Sequence, residues 1–406
     1  MTAQTILPAN SAASGGFDVA NSARFDANAY LHKTPSGSGN RKTWTASVWV
    51  KGQPTTTTNN IAGQAVFSAG DSATDRTHFY FTNGIFEFRT EISNTQQIIT
   101  TNQVFTDPAA WYHIVVAVDS TQSTDTNRVK IYANGVQITS FSAAAYLAED
   151  ADTYVNHTVK QYVGSSSWSV GSYFNGYMAE FVLLDGTAAT PTSFGEFDED
   201  SGIWKPISVS GLTFGTNGFY LDYQASGNLG NDANGGTDLT EVNIAATDQS
   251  TDTCTNNFAT FQPLDFQAST QTLAEVNLKI TADSGGDWDT VASTIGVTTG
   301  KWYFEAKLIT LGTNAIVGVI DINDARLNTT TAYYIGQSTP GKGYQNNGAR
   351  PDNGASFGDT YTANDIIGVA IDMDNLKVYF SKNGTFQDSG DPTSGATGTG
   401  AQDLTS

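Results

Sequence analysis

The 406-residue sequence holds one cysteine, four histidines and few basic groups, 19 Lys and Arg against 40 Asp and Glu. A single cysteine excludes an intrachain disulfide framework and any thiolate metal cage. Cys254 lies in a Thr/Asp/Asn stretch with no basic neighbour to activate it, so it reads as an inert packed thiol. The histidines (His32, His78, His113 and His157) lack metal-ligand spacing, and His113, inside an apolar stretch, reads as a packed or cross-strand residue. The net charge of −21 repels phosphate backbones and anionic lipid, which excludes nucleic acid and membrane surfaces as partners. An apolar run of ~18 residues, the length of a spanning helix, is absent. The first residues have neither the basic start nor the apolar core of a secretory signal. No window shows a helical stripe longer than three turns.

What is present is β-sheet grammar. Glycine is abundant (40), aromatics reach 11%, and charged residues only 15%, the profile of an all-β chain with many turns. Residues 111–136, WYHIVVAVDSTQSTDTNRVKIYANGV, organise the chain. Trp111 to Asp119 is dense in β-branched and aromatic residues, short enough for a strand buried on both faces. After a polar turn, Arg128 to Val136 alternates apolar Val129, Ile131 and Ala133 with Lys130, Tyr132 and Asn134, leaving one wet face. It ends in Asn134-Gly135, which accepts the positive φ angles of a tight turn. So apolar a strand requires a second sheet over it, which means a sandwich. The grammar returns at 365–386, DIIGVAIDMDNLKVYFSKNGTF, and predicts two related sandwiches in tandem.

Taken in order, residues 1–20 read as an extended arm, suited to anchoring the protein in an assembly. Strand patterns follow at TWTASVWVK (43–51), FYFTNGIFEFR (79–89), QYVGS (161–165) and YFNGYMAEFVLLDG (173–186). Residues 225–257, rich in Asn, Asp, Gly and Thr, read as a linker. Further strands fall at GKWYFEAK (300–307), VGVID (317–321) and 365–384, whereas 387–406 has no strand pattern. The expected domains are therefore 1–20, 21–224, 225–257 and 258–406.

The strands WTASVWV, WYHIVVAVD, RVKIYANG and FNGYMAEFVLLDG, over about 23–186, resemble laminin-G-like, concanavalin-A-type jelly rolls. The following FGEFDEDSGIWKP…GTNGFYLDY resembles an extension that such modules carry in tailed-bacteriophage proteins. The order GKWYFE, VGVID, IIGVAIDMD…LKVYFSKNG, over about 258–390, resembles a SPRY domain. SPRY sandwiches close with strands after the KNG hairpin, so this one is expected to be incomplete at its C-terminal end. An edge left bare there invites pairing with another chain.

Candidate chemistry is sparse. Glu196, Asp198 and Asp200 approach an E-x-D-x-E glycosidase pattern that would set three carboxylates on one face of a strand, but Asp stands third and a turn sequence follows at once; a solvated acidic turn is preferred. Gly336 to Lys342 matches part of a phosphate loop without its Ser/Thr or a following helix, and reads as a surface loop. The resemblance to laminin-G modules implies a rim site for a structural Ca2+, for which Asp71 and Asp75 are candidates beside the preferred reading of a bare loop. Loop aromatics are the best binding candidates, because flat rings stack on sugar faces. These are Trp168 and Tyr173 in the first module and Tyr333, Tyr334 and Tyr344, with Arg350, in the second.

These readings converge on a non-enzymatic structural protein on the exterior of a phage virion, with no catalytic residues. Its expected partners are other virion proteins through the arm and host-surface glycan or protein through the loops. Weak contacts would be multiplied in a homo-oligomer, a trimer by resemblance to phage fibres. The alternatives are a capsid or tail decoration protein and a glycan hydrolase.

Overall fold

The structure is a computed structural model that describes residues 16–405 apart from 27, 53–63, 167–171, 267–270, 283–287, 322–323, 325–332 and 338–340. It is all-β and divides into two compact units, one of Leu7–Thr260 and one that includes Phe261–Ser406.

The first unit's strands are β1 (Ser22–Phe25), β2 (Tyr30–Lys33), β3 (Thr43–Gly52), β4 (Gln64–Gly70), β5 (Arg76–Thr82), β6 (Ile85–Ile92), β7 (Thr95–Val104), β8 (Tyr112–Asp119), β9 (Val129–Ala133), β10 (Val136–Gln137), β11 (Phe141–Ala144), β12 (Gln161–Val163), β13 (Gly176–Asp185), β14 (Gly195–Phe197), β15 (Trp204–Pro206), β16 (Phe219–Leu221), β17 (Thr240–Val242) and β18 (Gln249–Ser250). All but β14 and β15, which pair with each other, form two eight-stranded antiparallel sheets. One runs β10-β9-β8-β3-β13-β1-β18, with β16 also on β13; the other runs β11-β7-β6-β5-β4-β12-β2-β17. Period-two alternation aims Trp44, Val48, Ile114, Val116 and Ile131 from the first sheet at Phe67, Phe79, Phe86 and Phe88 from the second, which makes the core between them.

The organising strand β8 is buried on both faces, and the second covering is not a sheet. Val115 and Ala117 point away from the core and pack with Phe194, Val209 and Phe214 of the segment after β13. The hairpin β14–β15 brings Trp204 onto the same face, where its indole N–H donates to His113 Nδ1 at 2.9 Å. Nδ1 is therefore the acceptor, and the ring proton on Nε2 donates to Ser47 Oγ at 2.8 Å. Trp49 stacks on the imidazole at 4.8 Å and Trp204 at 5.9 Å. Tyr132 of β9 is buried in this layer too, so β9 keeps less of a wet face than its alternation predicts.

Two expected boundaries move. Residues 225–257 are not a linker: β17 pairs with β2, β18 pairs with β1, and Leu229, Leu239 and Ile244 enter the core. Asp252 is 2% exposed and receives Lys51 Nζ at 2.8 Å and Trp111 Nε1 at 3.0 Å. Most of the expected arm, residues 1–15, lies outside the described residues; Val19 is buried and its N–H donates to Thr255 Oγ1 at 3.0 Å.

The second unit contains β19 (Phe261–Phe266), β20 (Thr272–Ala274), β21 (Lys279–Thr281), β22 (Val291–Ser293), β23 (Lys301–Lys307), β24 (Ile316–Val319), β25 (Lys342–Gln345), β26 (Ile366–Asp372), β27 (Lys377–Lys382), β28 (Thr385–Phe386) and β29 (Gln402–Asp403). A five-stranded sheet runs β23-β26-β27-β28, with β29 also on β27. Its core is Ile367, Val369, Val378 and Phe380 against Tyr344, Phe357 and Tyr361. Residues 387–406 do return to the sheet. Gln402 is buried and its amide donates to Gly343 O at 2.8 Å, but a strand of two residues is too short to show alternation. Among the described residues, no strand meets the outer side of β23.

Candidate functional site

The outer face of the second sheet in the first unit carries the polar half of the alternation. Across β5 and β6, Arg76 opposes Glu91, His78 opposes Arg89 and Tyr80 opposes Glu87. Glu91 Oε1 accepts from Arg76 Nη2 at 3.1 Å, Arg89 Nη2 at 2.7 Å and Gln96 Nε2 at 2.6 Å. Glu87 accepts from the hydroxyls of Tyr80 and Thr100. Burial and then the two guanidinium groups hold the His78 imidazole well below its ordinary range, and burial raises the Tyr80 phenol. Arg76, His78 and Glu91 are buried. Closed in this way, the network ties strands together.

Further along the same face the surface opens. His32 of β2 opposes Tyr162 of β12, and Tyr30, two residues before His32, lies on the same side. Tyr30 stacks on Tyr173 with centroids 6.2 Å apart and planes at 25°, and lies 5.8 Å from Tyr162. His32 is 5.9 Å from Tyr30 and 6.0 Å from Tyr162, and all four rings are partly exposed. Lys160 Nζ lies over the Tyr162 ring at 5.8 Å. Burial first, and the Lys160 charge second, lower the His32 pKa, so the imidazole is neutral at physiological pH. Apolar ring faces bordered by hydroxyls, a neutral imidazole and one ammonium can stack on the C–H face of a sugar and bond its hydroxyls.

The candidates read from sequence fare differently. Tyr173 joins this platform, whereas Trp168 lies outside the described residues. Tyr344 is fully buried: its hydroxyl donates to Asp359 O and its ring packs on Phe357 and Tyr361, so it is core and not a loop contact. Tyr333 is likewise buried, its carbonyl accepting from Thr290 Oγ1 at 2.7 Å. Tyr334 is partly exposed and leans on Trp288 at 5.0 Å. Arg350 lies over Phe357 at 5.2 Å with Asp388 at 3.5 Å, which commits much of its guanidinium.

The Ca2+ reading meets a full carboxylate. Asp75 Oδ1 accepts from Tyr154 OH at 2.6 Å and Ser93 N at 3.1 Å, while Oδ2 takes the Ser72 and Thr74 hydroxyls. These bonds hold its pKa below the usual range, the Tyr154 bond first. Asp71 is joined to it by a backbone bond, N to Asp75 O at 3.3 Å. Ca2+ needs six to eight oxygens, and among the described residues no group of three or more His, Cys, Asp or Glu could hold a metal. The residues present do not fit the ion.

The acidic run after Phe194 is a turn. Strand β14 ends at Phe197, so Glu196, Asp198 and Asp200 do not share a strand face. Asp198 Oδ1 caps Ser201 N at 2.9 Å, and Lys205 Nζ lies 3.2 Å from Oδ2. The Ser201 amide bond first, with Lys205, pulls Asp198 down to about 2, far from a general acid. Lys342 opens a strand, not a helix, and pairs with Asp352 at 3.0 Å.

Residues 25–192 match the family model described as the concanavalin A-like lectin/glucanases superfamily. A curated relative, a Ran-binding proteins 9/10 homolog of Drosophila melanogaster, is 25% identical over 123 residues, which is 28% of this chain and 12% of that protein. The chain thus spans about an eighth of that relative's length. Domains LG4-5 of mouse laminin alpha1 align over 96% of this chain and 81% of theirs at 8% identity and a TM-score of 0.32. The CBM40 of a Ruminococcus gnavus sialidase, bound to sialyllactose, aligns over 40% of this chain and 90% of its own at 17% identity and a TM-score of 0.26. With two facing antiparallel sheets and this family match, the first unit contains a laminin-G-like, concanavalin-A-like jelly-roll domain.

Proposed function

We propose that the chain is a non-enzymatic structural protein of a tailed-phage virion that binds host-surface glycan through its first jelly roll, with a SPRY-type second unit. The observation that carries the glycan reading is the platform of Tyr30, His32, Tyr162 and Tyr173 beside Lys160, open on a sheet face that is elsewhere closed by its own ion pairs. The lectin and glucanase description of the matching family model supports it. Contacts on one such platform are weak, and an assembly of several copies multiplies them. The virion placement rests on the resemblance of the segment after β13 to phage-borne extensions.

A second reading, decoration of neighbouring virion subunits, has its own support in the exposed apolar Phe197 (50%) and Ile203 (56%) on the hairpin that carries Trp204.

The test is a glycan-array and host-cell attachment assay on purified protein, with Tyr162→Ala and Tyr173→Ala as variants and melting temperature as control. Losing these rings is expected to weaken glycan attachment about tenfold with the fold intact. Unchanged attachment rules out the platform and favours decoration, which a virion reconstruction would locate.

A further inference from the structure

The edge of the second unit's main sheet carries an inference independent of glycan binding. Strand β23, KWYFEAK, pairs with β26 on one side, and among the described residues no strand meets its other side. The backbone alternation shows which positions face outward. Gly300 O accepts from Met373 N at 3.0 Å, Leu308 N donates to Asp365 O at 3.0 Å, and Leu308 O accepts from Asn364 N at 2.6 Å. Even-numbered positions therefore turn toward β26, and Lys301, Tyr303, Glu305 and Lys307 direct their N–H and C=O groups outward. The side chains are open as well: Tyr303 is 55% exposed and Phe304 39%. Phe304 opposes Val369 and Trp302 opposes Ile371, so this aromatic pair continues the apolar face of β26 past the edge of the sheet. A seven-residue edge with open ladder groups and aromatic side chains is a template for another strand.

We propose that β23 pairs antiparallel with β23 of a second copy about a twofold axis through Tyr303. Charge complementarity supports both this occupant and this register. Centred on Tyr303, each Lys301 opposes a Glu305 and each Trp302 opposes a Phe304. The outward backbone groups of Lys301, Tyr303 and Glu305 then all find partners. Centred on Phe304, Lys301 would oppose Lys307; centred on Glu305, that carboxylate would oppose its own copy. Like charges directly opposite are unfavourable in both alternatives. The existing bonds leave capacity for the new ones. Lys301 Nζ spends one donor on Asp372 at 2.9 Å, and Glu305 accepts Tyr303 OH at 2.8 Å through one oxygen. A twofold contact is self-complementary and closes at two copies.

Sedimentation velocity on the full chain, up to its highest soluble concentration, tests the pairing. The wild type is expected to show a concentration-dependent monomer–dimer equilibrium. Glu305→Lys sets lysine against lysine at two places and is expected to weaken dimerisation roughly tenfold with melting unchanged. Tyr303→Pro removes an outward N–H while sparing the bonds to β26, and should also give monomers. If the proline variant misfolds, Glu305→Lys decides. A wild type that stays monomeric, or a Glu305→Lys variant that dimerises as well as the wild type, overturns the proposal.

Discussion

Two hairpins of one grammar, β8–β9 and β26–β27, end with different surroundings. Both join an apolar strand to an amphipathic one and finish in Asn-Gly, with φ of +47° and +79° at Asn134-Gly135 and +48° and +84° at Asn383-Gly384. In the first unit the side of β8 away from the core is sealed by Phe194, Val209 and Phe214. In the second, that side of β26 carries Gly368 and Ala370, and a Cβ on Gly368 would come within 2.3 Å of the Tyr303 hydroxyl. Hairpin sequence thus sets strand and turn, while a segment far along the chain decides whether the outer face is a second core or a thin cover.

The strongest way to break that comparison is a carboxylate on each outer face. Val115 is 0% exposed, so Val115→Asp buries an unpaired charge or a protonated acid without a partner. The cost is several kcal/mol, on the order of a domain's whole stability. Ala370 is partly exposed, and Ala370→Asp is expected to cost under about 1 kcal/mol. Val116→Asp, between the two sheets, should be as damaging as Val115→Asp. Denaturant unfolding of each variant measures this, and equal losses for Val115→Asp and Ala370→Asp would mean that the extension does not seal β8.

The turn glycines sharpen the contrast at the next level. A Cβ on Gly135 would stand 2.3 Å from Trp204 Cε3, whereas one on Gly384 meets nothing within 4 Å. Gly384→Ala should therefore cost only the left-handed backbone penalty, about 1–2 kcal/mol. Gly135→Ala adds displacement of Trp204 from His113, bringing the loss to about 3 kcal/mol or more. In a Trp204→Ala background the two alanine substitutions should cost the same, which a double-mutant cycle reads directly.

Much of the fold was legible because its signals are local. Asn-Gly turns, period-two alternation and the two apolar strands all act within a few residues. The tie between Trp204 and His113 spans 91 positions and leaves no local trace. Residues 225–257 were misread because sparse apolar anchors, Leu229, Leu239 and Ile244, sit among small polar residues. There Asp252 satisfies Lys51 and Trp111 in a way that composition scores as linker. Tyr344 and Tyr333 looked like binding aromatics because a ring in a Gly/Asn-rich loop reads the same whether it points outward or into a core. The platform was half visible: Tyr173 was singled out, but only the register of β2 against β12 unites Tyr30 and His32 with Tyr162.

Acid should separate the two units by window, since all four histidines precede residue 261. Burial lowers His113 to about 3, and a proton on Nδ1 would set N–H against the Trp204 N–H. A histidine whose folded pKa lies below its unfolded value of about 6.5 binds more protons when unfolded. Its contribution is therefore complete above pH ~6.5 and is lost as pH falls toward its folded value. From pH 6.5 to 5 that amounts to about 2 kcal/mol for His113, with His78 shifted in the same direction. In the second unit, Asp372 is held down to about 2, chiefly by Lys301 and then by Asn375. A depressed carboxylate contributes fully above its ordinary pKa near 3.8 and loses that contribution as pH falls through about 2, so the second unit should hold through the window in which the first weakens. Calorimetric melting from pH 7 to 3 should show the first unit's transition falling first. His113→Gln should flatten the slope between pH 6.5 and 5 by about one proton. An unchanged slope in that variant would remove His113 from the account and leave the acid response to His78 and the partly exposed His32 and His157.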